Sequence, residues 1–288
     1  MTPAGPRATP MSPAAVAALS APGALGTAVG ALRIAAALAA LGVGSAAILA
    51  SAAVPLRLRG TRLSLWATAW TARALLACFG VELEVEDSAR LRAHRGFVFF
   101  NHFSWIDPVV LMAATPVRFL AAAGVRRLPL IGWVGRAVGT VFVNRGDGDS
   151  RRAARSGLRE AVTRSRTPVA LAPEGGIQPG PPVRPFRHGA FEVAAETRQL
   201  VLPVALDYAP WPRAAWQDGE TLVDAAWRVA ARRGPFRVRV APLGTVAPTP
   251  GGISELATAL EARFNAELER PRAGVGAARS GVRVSPDG

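Results

Sequence analysis

From residue 81 to about residue 270 the sequence alternates short apolar runs with longer stretches of helical period, and this alternation confines the chain to an α/β architecture. Residues 81–86 read Val-Glu-Leu-Glu-Val-Glu, a period of two that suits a half-buried strand, while Gly96 to Phe100 is short and wholly apolar, as a fully buried strand is. Pro108 to Ala114 has helical character, Thr140 to Arg145 is strand-like, and Ser150 to Arg164 is an amphipathic helix with a basic and an apolar face. Thr167 to Gly175 reads as a buried strand running into a glycine turn, and Gln199 to Tyr208 and Phe236 to Gly244 as further strands. Ile253 to Glu269 closes the region as an amphipathic helix, with Gly251 and Gly252 marking its start. No internal repeat is visible.

The chain has 288 residues, half of them hydrophobic, which suits one large domain with a substantial core plus an N-terminal anchor. Residues 1–23, rich in Pro, Ala, Ser and Thr, read as a disordered leader, and residues 271–288 as a disordered tail. Between them, residues 24–80 form a membrane-anchor region and residues 81–270 the α/β domain. Ile34 to Val54 is an uncharged run whose length matches a bilayer's hydrocarbon core, bordered by Arg33. A buried or membrane-dipping helix fits the same run, because its many alanines and glycines add little transfer energy. Arg57, Arg59 and Arg62 follow it, and the positive-inside tendency places them and the domain beyond on the cytoplasmic face of the cell inner membrane. Leu63, Trp66 and Trp70 recur at helical spacing, with Arg62 and Arg73 nearby, a pattern that suits an interfacial amphipathic helix and equally an ordinary packing face.

The formal net charge is +14, carried by arginine without a single lysine, so the surface attracts polyanions. Nucleic acid is the poorer candidate: the arginines are scattered, and there is no zinc-finger spacing, RNP-like strand or heptad-bearing basic region. The one cysteine, Cys78, excludes a disulfide framework and reads as a small core residue. His94, His102 and His188 are isolated from one another, without the paired spacing of a zinc helix, so no metal is expected.

The sharpest local signal is Asn101-His102-Phe103-Ser104-Trp105-Ile106-Asp107, directly after the strand ending at Phe100. A histidine at the carboxyl end of a buried strand in an open α/β sheet stands where active sites form. One turn separates it from Asp107, close enough for the carboxylate to hold one imidazole nitrogen and leave the other as a general base. Asp107 before Pro108 also suits a helix N-cap with proline at the first helical position, and His102 taken alone suits a satisfied core residue. Ser104 reads as a turn residue, and no Gly-x-Ser-x-Gly elbow supports a serine hydrolase.

This segment resembles the Asn-His-x-x-x-x-Asp motif of the glycerolipid acyltransferase family, the lysophosphatidic acid acyltransferases and their relatives. The segments 126–147, 172–176 and 200–208 are similar to the family's second block, its Pro-Glu-Gly block and its Val-Pro-Val block, and 185–194 to the stretch between the last two, all in the family's order. The resemblance implies a mostly seven-stranded mixed sheet flanked by helices and preceded by an N-terminal membrane helix. It implies acyl transfer from acyl-CoA or acyl-ACP to a lysolipid hydroxyl, in the first instance lysophosphatidate to phosphatidate, at a membrane and without a cofactor. His102 would be the base, Asp107 its orienting carboxylate, and Glu174 and Gly175 the acceptor-facing turn, with Asn101 and Gly176 beside them.

Two departures bear on the acceptor. Where relatives carry Thr-Arg after Glu-Gly, this chain has Gly176 and Ile177, and where they carry a lysine before Leu-Pro it has Ala122 and Ala123. Arg126, Arg127, Arg145, Arg184 and Arg187 are the available substitutes for a phosphate anchor, Arg145 best placed at the end of a strand and Arg187 in the segment after the turn. A non-phosphate acceptor such as a lyso-ornithine lipid therefore stays open, as does a non-catalytic membrane-surface lipid-binding protein, which would need neither His102 nor Asp107.

Overall fold

The computed structural model of the protein describes residues 23–144 and 146–270. The leader before Gly23, the tail from residue 271 and Arg145 lie outside the described residues. A long helix α1 (Ala24–Ala52) leads through a small hairpin, β1 (Arg57–Leu58) and β2 (Thr61–Arg62), into α2 (Leu63–Cys78). The α/β region follows as β3 (Val81–Val85), α3 (Ser88–Ala93), β4 (Phe97–Phe100), α4 (Asp107–Ala114), β5 (Arg118–Ala122), a 3-10 turn (Ala123–Arg127), α5 (Ile131–Ala137) and β6 (Val141–Val143). It continues as α6 (Gly148–Arg164), β7 (Val169–Leu171), α7 (Gly189–Glu196), β8 (Val201–Ala209), α8 (Leu222–Ala230), β9 (Phe236–Pro242) and α9 (Ile253–Glu269).

The main sheet has seven strands in the order β3-β9-β8-β4-β7-β5-β6. Strands β4 to β8 run parallel to one another, whereas β9 runs against β8 and carries β3 parallel to itself. This is the expected mixed sheet, with β4 at its centre. The pleat sends alternate side chains to opposite faces, so β4 feeds two cores. Phe97 and Phe99 pack with Leu158, Phe191 and Phe264 on one face, and Val98 and Phe100 with Val110, Leu111 and Val229 on the other.

Every strand read from the sequence is present, and among the elements not read are β5 and α8. The pattern of β5 is masked because Arg118 points its guanidinium inward, donating to the Ala161 and Thr167 carbonyls at 2.6 and 2.8 Å. Helix α8 carries a legible start signal that passed unnoticed, a capping box in which Thr221 and Asp224 bond each other's backbone amides.

The N-terminal apolar helix differs from expectation in its bounds. Helix α1 begins ten residues before Ile34, so Arg33 lies inside it, not at its border. The charge is accommodated because the guanidinium turns to the body of the protein and donates to the Ala230 carbonyl at 2.8 Å and the Arg232 carbonyl at 3.3 Å, at the end of α8. At 29 residues the helix is long and apolar enough to cross a membrane. Gly26, Gly30, Ala37, Ser45 and Ile48 form its buried stripe, and Leu32, Leu38 and Val43 stand exposed on the other side. In α2 the packing face wins over most of the length, with Leu65, Ala69, Ala72 and Leu76 buried, while Trp70 remains half exposed. Arg73, although exposed, donates through Nε to the Ala113 carbonyl at 2.8 Å and ties α2 to α4.

Candidate functional site

Strand β4 ends at Phe100, and Asn101 extends its pairing by side chain alone. Its amide nitrogen donates to the Leu206 carbonyl at 3.0 Å and its amide oxygen accepts from the Leu206 N–H at 2.8 Å. The side chain thus replaces one rung of backbone ladder, freeing the main chain to leave the sheet at His102. Asn101 is fully buried, so it braces β4 against β8 and reaches any ligand only through the loop that it holds.

The loop then curls over the start of α4. Asp107 is the first residue of that helix, and its carboxylate faces back toward the loop instead of capping the helix. Oδ2 accepts from the Phe103 and Ser104 amides, each at 2.8 Å, and from His102 Nδ1 at 2.8 Å. Oδ1 accepts from the Tyr208 hydroxyl, which β8 brings to the same face of the sheet. Asp107 is 0 % exposed, and a carboxylate so deeply buried is tolerable only with such a set of donors. The N-cap alternative is thereby set aside. Ser104 behaves as the expected turn residue, its hydroxyl oxygen accepting from the Ile106 amide at 3.4 Å.

With Nδ1 committed to Asp107, the His102 ring presents Nε2, which has no partner among the described residues. The side chain is 18 % exposed, so the ring is neither sealed in hydrocarbon nor free in solvent. An imidazole so held can accept a proton at Nε2 while the carboxylate supports the resulting imidazolium.

The turn after β7 closes the other side. Glu174 accepts from the His102 backbone amide through Oε2 at 3.3 Å, while its buried Oε1 has no partner. Burial pushes the Glu174 carboxyl up to about 8; the His102 N–H opposes that rise, the Asp107 charge adds to it, and Arg184 opposes it. The group is therefore mostly a neutral acid at pH 7. Gly175 sits at φ +84°, and a Cβ there would come within 2.3 Å of the Arg187 Nε, so a side chain is excluded both by backbone conformation and by the arginine lying against it. Gly176 continues the turn and accepts from the Gln178 side-chain amide at 3.1 Å.

The structure thus brings together His102, Asp107, Glu174, Gly175 and Arg187, with Gly176 following in the same turn, and leaves Asn101 one layer beneath. Arg126 and Arg127 end a 3-10 turn beyond β5, two strands away from β4. Arg145 lies outside the described residues. Two participants escaped the sequence reading. Tyr208 gave no local sign, because its partner is 101 residues away. Gln178, whose N–H donates to the His102 carbonyl at 2.7 Å, follows the glycine turn closely enough to have been suspected. Among the described residues no group of three His, Cys, Asp or Glu side chains is arranged to hold a metal ion.

Residues 82–207 match the family model described as Acyltransferase. The chain is 36 % identical over 178 residues to the lyso-ornithine lipid O-acyltransferase of Pseudomonas aeruginosa, covering 59 % of this chain and 65 % of that protein. It is 31 % identical over 136 residues to the 1-acyl-sn-glycerol-3-phosphate acyltransferase of Neisseria meningitidis, covering 47 % of this chain and 53 % of that one. The chain therefore spans about half to two thirds of the length of these relatives. The crystal structure of the 1-acyl-sn-glycerophosphate acyltransferase of Thermotoga maritima superposes with a TM-score of 0.63 at 18 % identity, covering 86 % of this chain and 98 % of that one, and shares the fold.

Proposed function

We propose, because residues 82–207 match the acyltransferase family model, that this protein is a membrane-bound O-acyltransferase that moves a fatty acyl chain from acyl-CoA or acyl-ACP to a lysolipid hydroxyl. The observation that carries the reading is the 2.8 Å bond between His102 Nδ1 and a buried Asp107, with Nε2 left unpartnered.

An alcohol near neutral pH is a weak nucleophile, and a thioester is activated enough that one base and good positioning suffice. His102 Nε2 takes the hydroxyl proton as the oxygen bonds to the thioester carbonyl carbon. The tetrahedral adduct then expels the thiolate, which recovers the proton from the imidazolium. No covalent enzyme intermediate and no cofactor enter this route. Asp107 fixes the tautomer and balances the imidazolium charge. The unpartnered Glu174 Oε1 faces the acceptor, Gly175 and Gly176 keep that approach open, and Arg187 and Arg145 are the proposed contacts for the acceptor's anionic group. Asn101 supports the site by holding the loop to β8.

The first acceptor is lysophosphatidate, giving phosphatidate in phospholipid synthesis. A second reading, lyso-ornithine lipid, is favoured by Gly176 and Ile177 in place of Thr-Arg and by the similarity to the Pseudomonas protein. The proposed setting is the inner membrane with the catalytic region on the cytoplasmic face. The test supplies purified membranes with labelled acyl-CoA or acyl-ACP and a panel of lysolipids, followed by chromatography of the products. Product that disappears on His102→Ala, by a factor of about 10² to 10⁴, is expected. Absence of product from every donor and acceptor pair would remove the proposal, and the lysolipid consumed decides between the two acceptors.

A further inference from the structure

Residues 108–146 contain no aspartate or glutamate and five arginines. Arg118 is used inside the fold, and Arg145 lies outside the described residues. The remaining three, Arg126, Arg127 and Arg136, are exposed, and among the described residues none of their side chains has an ion-pair or hydrogen-bond partner. Beside them stand Leu128, Ile131 and Trp133, exposed by 38, 38 and 55 %. Large apolar side chains and unpaired cations alternating on one short exposed segment are what a water-facing surface avoids and a membrane interface favours.

The local fold enforces this presentation. Leu130 is held at φ +58°, and a Cβ on Gly132 would lie 2.1 Å from the Arg126 carbonyl oxygen, so the chain folds back on itself there. The inner side of α5 is pinned, because Val134 and Val138 pack with Ile48 of α1 and Leu65 of α2. Ile131 and Trp133 are left to face outward, next to the apolar helix α1. The segment also follows the carboxyl end of β5, the same edge of the sheet at which β4 delivers His102, with β7 between them.

We propose that residues 126–136 form a docking element for an anionic lipid bilayer, with Ile131 and Trp133 entering the interface and Arg126, Arg127 and Arg136 contacting headgroup phosphates. The occupant follows from charge and continuity: the segment has no acidic residue, and it packs directly on the apolar helix pair. Docking there sets the His102 edge of the sheet toward the surface that holds the lipid acceptor. The inference rests on the membrane acyltransferase reading.

Flotation of the full chain with phosphatidylcholine vesicles, with and without phosphatidylglycerol, tests it. Each arginine near a charged surface is worth about a fivefold gain in partitioning. The triple Arg126→Ala, Arg127→Ala, Arg136→Ala variant should therefore lose on the order of a hundredfold in preference for the anionic vesicles, leaving binding to phosphatidylcholine alone unchanged. The corresponding triple lysine variant should retain the preference, which separates charge from misfolding. Ile131→Asp with Trp133→Asp should lower turnover on vesicles while leaving turnover on detergent micelles as in the wild type. A full anionic preference in the triple alanine variant would overturn the assignment, as would equal loss of vesicle and micelle turnover in the aspartate variant. Failure of the acyl-transfer reading would appear separately, as no turnover on micelles by the wild-type chain.

Discussion

Four donors converge on the Asp107 carboxylate, the His102 imidazole and three groups that constrain how it is held. The two loop amides fix where the carboxylate lies, while the Tyr208 hydroxyl draws charge away from the oxygen facing β8. Burial foremost, then the Asp107 charge and its hydrogen bond, hold that hydroxyl protonated well above the usual phenol range, so it stays a donor at any working pH. Tyr208→Phe removes the donor and concentrates charge toward His102. The expected result is a drop of about tenfold in kcat, roughly 1.4 kcal/mol, with KM little changed. A purely structural role for Tyr208 would lower stability and leave kcat of the folded protein in place. Glu174 makes a different prediction. Its folded pKa of about 8 exceeds the ordinary carboxyl value of 4.5, so the folded chain binds the extra proton between those limits. Stability is thus largest below about pH 4.5 as far as this group is concerned, falls as pH rises to about 8, and is flat beyond. In Glu174→Gln that decline should vanish, and urea midpoints measured at pH 5 and pH 8.5 would check it.

At the scale of elements, the site is assembled by two turns that leave the carboxyl edge of the sheet and by the end of a neighbouring strand. The β4 turn is set by Asn101, whose amide satisfies both polar groups of Leu206. Asn101→Ala should leave that buried N–H and C=O unpaired and destabilise the fold by about 1–3 kcal/mol, read as a shift in the denaturation midpoint at unchanged slope. The β7 turn depends on Gly175, where the left-handed backbone and the Arg187 side chain both exclude a Cβ. Tyr208, near the end of β8, completes the set and is held by stacking on Phe236 at 5.8 Å between ring centroids.

For the whole molecule, the decisive arrangement is that α1 is fastened to the body along its length. Gly30 lies against Ala231, where a Cβ would approach the Ala231 Cα to 2.9 Å, and Arg33 bonds the carbonyls at the end of α8. Gly30→Leu should force α1 away from α8. The expected loss is about 1–3 kcal/mol in thermal or urea unfolding, with His102-dependent turnover on micelles retained, since neither residue touches the site. Helix α1 and the His102 edge of the sheet are thus one body, and α5 extends it toward the proposed bilayer contact.

The alternation of strands and helices, the His102 and Asp107 pair and the glycine turn after β7 were all legible in the sequence, because each depends on residues close together in the chain, where backbone period and short spacing dictate geometry. The strand Arg118–Ala122 was not, since its inward arginine is acceptable only where two carbonyls from other elements meet it. The same reason explains Tyr208, Asn101 and Arg33: their partners lie 101, 105 and 197 residues away, at Asp107, Leu206 and Ala230. Local sequence determined which residues carry the proposed chemistry. Tertiary packing decided which groups support them, because burial turns an ordinary tyrosine, asparagine or arginine into an obligatory hydrogen-bond partner.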